Sequence, residues 1–194
     1  MKRDGPLSDE ELAKRAAEGS EAHFNALVDR YTPLLYRTAL GITGVPQEAE
    51  EIVQETFIKL FRNLHRFSPE KASFKTWVLT ITRNQSINSL NSLKRKAVRF
   101  FSDERLEEYG PETGGDLPIS GHQDAESAMA VKQEYARVKK ALKNLPERQR
   151  TALHLKSVEN LSYEEIARIM KTSPSSVESL IFRARRRLSE LLED

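Results

Sequence analysis

The sequence predicts an all-α chain, with two small helical domains joined by a flexible acidic linker. Apolar residues recur at three- and four-residue intervals through most of the 194 residues, and no stretch alternates strictly for long enough to make a strand. Between about Phe101 and Gln123 the periodicity fails. Gly110, Pro111, Gly114, Gly115, Pro118 and Gly121 crowd an acidic stretch there, a composition that reads as a mobile tether. The chain therefore divides into residues 1–100, a linker over 101–127, and residues 128–194. Each end buries only a small core and is expected to be marginally stable alone.

Taken in order, Ser8 and Glu11 have the spacing of a capping box before a short helix that ends near Gly19. Phe24, Leu27, Val28, Tyr31, Leu34, Leu35, Thr38 and Ile42 then recur at helical spacing. Pro33 predicts a kink or break within that stretch, and Gly41 with Gly44 predicts its end. Pro46 suits the first turn of the next helix, which places Ile52, Val53, Phe57, Leu60, Phe61 and Leu64 on one face. Ser73 can cap a further helix carrying Phe74, Trp77, Val78 and Ile81, and a separate one follows with Ile87, Leu90 and Leu93. After the linker, helical spacing resumes with Met129, Tyr135, Val138 and Leu142 and runs with turns to Leu192.

The net charge of +2 conceals opposed blocks. Arg83, Lys94, Arg95, Lys96 and Arg99 stand in a stretch with no acid. Asp103, Glu104, Glu107, Glu108, Glu112, Asp116, Asp124 and Glu126 then face Arg105 alone, and Arg183, Arg185, Arg186 and Arg187 form a second basic cluster. Such blocks suit a nucleic-acid binder with an acidic linker, although solvated helix faces produce them too. There is no cysteine, so disulfides and thiolate metal sites are excluded. His23, His65, His122 and His154 lack ligand spacing, no Gly-rich phosphate loop appears, and no cofactor is expected. The polar start and short apolar runs predict a cytoplasmic protein with no membrane insertion.

The sharpest local pattern runs from Leu161 to Leu188. Ser162 and Glu165 form a capping box, so a short helix begins at Tyr163, with Ile166, Ala167 and Met170 facing inward. Lys171 and Thr172 make the turn, Ser173 caps the next helix, and Pro174 takes its first position. Val177 and Leu180 point to the core; Ser175, Ser176, Glu178, Ser179, Phe182, Arg183 and Arg186 are left for the reading side. This is a helix-turn-helix, whose second helix has the width of a DNA major groove. A pair of packed helices in an unrelated bundle would share the pattern, but the arginines after Phe182 favour DNA. Lys171 is unusual at a turn that wants a left-handed backbone, at a cost of about 1 kcal/mol.

The segment Glu51-Ile52-Val53-Gln54-Glu55-Thr56-Phe57 leaves Glu51, Gln54 and Glu55 opposite the apolar stripe. Phe74-Lys75-Thr76-Trp77-Val78-Leu79-Thr80-Ile81-Thr82-Arg83-Asn84 leads into the basic run. Taken singly, the first reads as a solvated face and Trp77 as core. Together with Leu145-Pro146-Glu147-Arg148-Gln149-Arg150 and the helix-turn-helix, and in this order, they resemble the extracytoplasmic-function (ECF) sigma factors of bacterial RNA polymerase, of the sigma-E-like kind. The resemblance runs from about Phe24 to Leu192, the linker excepted.

It implies a factor that binds core RNA polymerase and directs initiation in a stress or environmental response, and that is no enzyme itself. Glu51, Gln54 and Glu55 would dock on polymerase. Lys75, Trp77, Arg83, Asn84, Asn88, Lys94 and Arg95 would open the −10 element and read it as melted single strand, Asn84 lining a pocket for a flipped base. Without the resemblance, Asn84 reads as a helix cap. The helix-turn-helix would read the −35 element as duplex, and an anti-sigma factor is a further expected partner. The acidic linker would either thread a channel of the polymerase or serve as a tether. Many family members carry glycine where Lys171 stands, and a basic residue at the position of Glu178 or Leu180. Glu178 either accepts from a cytosine amino group or repels phosphate. A one-component helix-turn-helix regulator is the competing reading, but it needs a sensory or dimerisation domain that residues 1–100 do not display.

Overall fold

The computed structural model describes residues 7–102 and 125–193, with side chains for 7–92, 133, 134 and 136–193. The acidic segment and the glycines and prolines that define the expected linker lie almost wholly outside the described residues. Among these residues the regular structure is helical, without strands.

Helix α1 (Asp9–Ala17) begins where the Glu11 N–H donates to Ser8 Oγ at 3.2 Å. Only half of the expected capping box forms, because the Glu11 carboxylate turns instead to Arg15 at 2.8 Å. Helix α2 (Glu21–Thr43) runs through Pro33, so of the kink or break expected there, no break occurs. A proline removes one intrahelical donor, but Pro33 and Asp29 one turn before it are exposed, and water can serve the carbonyl left over. Gly41 does not end this helix either. Gly44 does, in the left-handed region at φ 74°, its N–H donating to the Leu40 carbonyl at 2.8 Å.

Helix α3 (Pro46–Asn63) starts on Pro46, and a 3-10 turn over Leu64–Arg66 follows it. Ile52, Val53, Leu60 and Leu64 are buried as expected, whereas Phe61 is 62% exposed and rests edge-on against Phe24, ring centres 5.1 Å apart. Helix α4 (Phe74–Ser102) is one helix where the sequence suggested two. No glycine or proline interrupts it, and a cap on Ser73, whose Oγ accepts from Thr76 N–H at 3.2 Å, is its only start signal.

The C-terminal half consists of α5 (Ala125–Lys143), α6 (Glu147–Ser157), α7 (Tyr163–Met170) and α8 (Pro174–Glu193). The two halves do not keep separate cores. Helix α2 packs on α6 and α4 on α7. One buried apolar cluster thereby joins Leu27, Leu35, Phe74 and Val78 to Leu155, Ile166, Val177 and Ile181.

Candidate nucleic-acid interface

The reading head is built as its sequence dictates. Ser162 Oγ accepts from Glu165 N–H at 3.2 Å, and the Glu165 carboxylate accepts from Ser162 N–H at 2.8 Å, so α7 starts on a complete capping box. Ile166, Ala167 and Met170 are buried. Lys171 closes α7 in the left-handed region (φ 51°, ψ 57°), and Ser173 Oγ accepts from Ser176 N–H at 3.2 Å to start α8. Val177, Leu180, Ile181 and Ala184 turn inward. The opposite side of α8 presents Ser175, Glu178, Ser179, Phe182, Arg183 and Arg186, all exposed, with Ser176 half-buried.

Phe182 is 68% exposed, a large apolar ring with no packing role to justify it. Glu178 makes no hydrogen bond or ion pair among the described residues, since its helical neighbours one turn away are Pro174 and Phe182. Arg183 is likewise free, whereas Arg186 Nε holds Glu190 at 3.0 Å in a fully wetted pair that a phosphate could displace. A groove of about 310 Å³ runs along this side, walled by Thr172, Ser176, Ser179, Arg183 and, from the first turn of α6, Arg148. The sequence reading names Arg148 only within its Leu145-to-Arg150 motif, because its place beside α8 is a tertiary fact.

On α3, Glu51 and Gln54 are exposed and have no partner among the described residues. Glu55 is exposed too, but it accepts from Gln85 of α4, whose own carbonyl accepts from Lys59. Ile58, at 51%, and Phe61 continue the exposed row one and two turns beyond Gln54. Their spacing from Gln54 was the signal for this edge, and assigning Phe61 to the core face hid it.

The side chains expected to handle melted DNA lie along α4. Trp77 is half-buried, its ring centre 5.3 Å from that of Phe67 and 6.0 Å from that of Phe74. Asn84 stands in the interior of α4, so it caps no helix; its Oδ1 accepts from Arg83 at 3.3 Å. Asn88 is exposed, and the side chains of Lys94 and Arg95 lie outside the described residues. Lys75 Nζ donates to the Glu159 carbonyl at 3.4 Å, and an Arg83 terminal nitrogen lies 3.9 Å from the Glu147 carboxylate. Both acceptors belong to the C-terminal half.

Glu159, in the loop between α6 and α7, is the most buried of these charges, its side chain 3% exposed. Its carboxylate accepts from Arg37 of α2 at 3.3 Å, and His154 Nε2 stands 3.7 Å away. Burial alone would push this carboxyl up, but His154 and Arg37 outweigh burial and hold it below the ordinary carboxylate range. Arg150 donates to the Ile42 carbonyl in the last turn of α2 at 2.6 Å. Among the described residues no cluster of His, Asp and Glu could hold a metal ion, and no helix is long and apolar enough to cross a membrane.

Comparison with known proteins gives the same two halves. The family model for Sigma-70 region 2 matches residues 27–96, and that for Sigma-70, region 4 matches residues 129–188. The chain is 34% identical to the RNA polymerase sigma-H factor of Pseudomonas aeruginosa, across 95% of this chain and 94% of that one. It is 35% identical to the ECF RNA polymerase sigma-E factor of Escherichia coli, across 92% and 91%. Among solved structures, CnrH in complex with the cytosolic domain of CnrY aligns with a TM-score of 0.66 at 26% identity, covering 95% of this chain and 97% of CnrH. The sigma factor RpoE of Bartonella quintana, in complex with the anti-sigma factor NepR, gives 0.66 at 26% identity, covering 88% and 96%.

Proposed function

The chain belongs to the extracytoplasmic-function sigma factors, and from that premise we propose how its surfaces divide the work of initiation. It binds core RNA polymerase and promoter DNA and directs transcription initiation. The observation that carries this function is the order of region 2 and region 4 along one chain, with relatives matched over nearly their whole length. A one-component regulator would need a sensory domain where region 2 stands, and nothing supports that alternative.

In our reading, residues 1–100 dock on polymerase and open the promoter, and residues 128–194 read the upstream duplex. The α3 edge of Glu51, Gln54 and Glu55 meets the polymerase, with Ile58 and Phe61 adding apolar area beside it. Lys75, Arg83, Asn84, Asn88, Lys94 and Arg95 serve the melted −10 strand, and Trp77 braces α4 from within its aromatic cluster. On α8, Arg183, Glu178 and Phe182 meet base edges, while Arg186 and Arg148 meet phosphates, which position the helix without specifying sequence. The chain contributes recognition and the polymerase contributes chemistry, so it is no enzyme itself and works in the cytoplasm. An anti-sigma factor is a further partner, since the similar Bartonella quintana sigma factor is held by one.

The test is co-purification of the folded chain with core polymerase, followed by in vitro transcription from genomic fragments. Initiation at a restricted set of promoters is the expected result. A folded chain that neither binds core polymerase nor redirects its start sites would overturn the reading.

A further inference from the structure

We propose that Gln85 is a positioning residue for strand reading: its hydrogen bond to Glu55 sets how α4 is turned against α3, and so where Asn84 is held. The inference rests on the reading of Asn84 above and gives Glu55 a second task beside docking.

Most buried hydroxyls of the N-terminal half bind only their own helix. Thr38, Thr43, Thr82 and Ser86 each donate to the carbonyl four residues earlier, at 2.9–3.0 Å. Such a bond satisfies the group and leaves the neighbouring helix free to turn. Gln85, 5% exposed, is different. Its amide N–H donates to the Glu55 carboxylate, and its carbonyl accepts from the Lys59 ammonium. Glu55 and Lys59 stand one turn apart on α3, so both ends of one buried amide are held by charged groups of the docking helix. Bonds to charged groups are roughly twice as strong as neutral ones, and a buried amide that lost them would be left unpaired.

The place of this bond fixes an angle. Ser89, one turn beyond Gln85 on the same face of α4, donates to the half-buried Glu48 in the first turn of α3. Two bonded points on one face hold a helix against rotation, where a single point would let it pivot. Apolar contacts press α3 and α4 together but select no angle as hydrogen bonds do. The adjacent Thr56 Oγ1 is buried with no partner among the described residues, so it adds no further bond across the seam. Asn84 precedes Gln85 by one residue and is displaced from it by about 100° around the helix. With Gln85 drawn inward, Asn84 sits half-buried at the rim of α4. A rotation that freed Gln85 would carry Asn84 through the same angle, because a helix turns as one body. The carboxylate assigned to the polymerase thereby also holds the helix assigned to the melted strand.

Gln85→Met keeps the length and burial of the side chain and removes the amide. Holoenzyme is assembled from full-length chains with polymerase saturating, because Glu55 also belongs to the docking edge. Its binding is measured to four fluorescent single-stranded −10 oligonucleotides that differ at the base assigned to Asn84. Their remaining sequence is that of a promoter the parent holoenzyme transcribes. The Gln85→Met holoenzyme should lose about tenfold of the parent's preference at that base, within the range of one base contact, while its polymerase affinity stays unchanged. Glu55→Gln retains an acceptor for Gln85 and should keep the preference; Glu55→Ala retains none and should lose it as Gln85→Met does.

Equal preference in the parent and Gln85→Met holoenzymes overturns the proposal, as does a Glu55→Ala holoenzyme that keeps the parent's preference. If Gln85→Met proves unfolded by its melting curve, the two Glu55 variants decide. Asn84→Ala separates premise from inference. If it keeps the base preference, the reading of Asn84 fails and the proposal fails with it; if it alone loses the preference, only the positioning role is refuted.

Discussion

Arg183 and Arg186 stand three residues apart on one exposed side of α8, and their removal should register differently. Arg183→Ala should weaken recognition at one position of the −35 element by about 1–3 kcal/mol, the value of a bidentate base contact. Arg186→Ala should weaken every sequence alike and lower the salt slope by roughly one counterion. Binding of the holoenzyme to a permuted −35 panel at several salt concentrations separates the two profiles; identical profiles would refute the assignment. Glu178, free of any cation among the described residues, should prefer cytosine at its contact position, and Glu178→Gln should shift that preference toward adenine. For Asn84, the interior position in α4 leaves a base contact as the role to test. Asn84→Ala should keep polymerase binding and helix content but slow open-complex formation on duplex promoters. A pre-melted template should recover opening without recovering the preference at that base.

At the scale of elements, the turn after α7 carries a measurable cost. Lys171 holds φ 51° and is exposed, so Lys171→Gly should stabilise the chain by about 1 kcal/mol in urea melts without altering DNA preference. Ser162→Ala should lower stability by about 1 kcal/mol through loss of the capping box. The helix-turn-helix was legible in the sequence because each of its signals is local: cap, first-turn proline, turn, inward apolar row. Elements whose boundaries depend on surroundings were not. Pro33 suggested a kink or break in α2, and the helix continues because solvent exposure of that turn made a break unnecessary. The separate apolar set Ile87, Leu90 and Leu93 suggested a second helix where no glycine or proline interrupts α4. Phe61 matched the apolar period of α3 yet faces outward beside Phe24. The candidate residues of α8 came out on one side because helical period alone decides that. The partners of Lys75 and Arg83 lie in the other half of the chain and have no local signature. Gly41, a glycine inside a helix where a Cβ would collide with His154 of α6, was the one visible trace of that contact.

At the scale of the whole molecule, the packing of the two halves should depend on pH through Glu159. His154 and Arg37 outweigh burial and hold its carboxyl below the ordinary value of 4.5. A carboxylate depressed on folding contributes stability that is complete above its unfolded pKa and is lost as pH falls through its folded one. Thermal melts of the free chain from pH 7 downward should therefore hold steady until about pH 4.5 and then decline. Glu159→Gln should start lower at neutral pH and lack that part of the decline. An unchanged acid limb in Glu159→Gln would remove this residue from the interface energetics. The apolar cluster that spans both halves also bears on biosynthesis. A ribosome completes α4 before it begins α6, and about 90 further residues separate Ser102 from the end of α8; at about 5–20 residues per second they take roughly 5–20 s. During that interval the nascent N-terminal half emerges with Lys75, Arg83 and its share of the cluster uncovered. Polymerase that meets the chain still on the ribosome should find the proposed docking and strand-opening faces accessible together, before the C-terminal half packs against them.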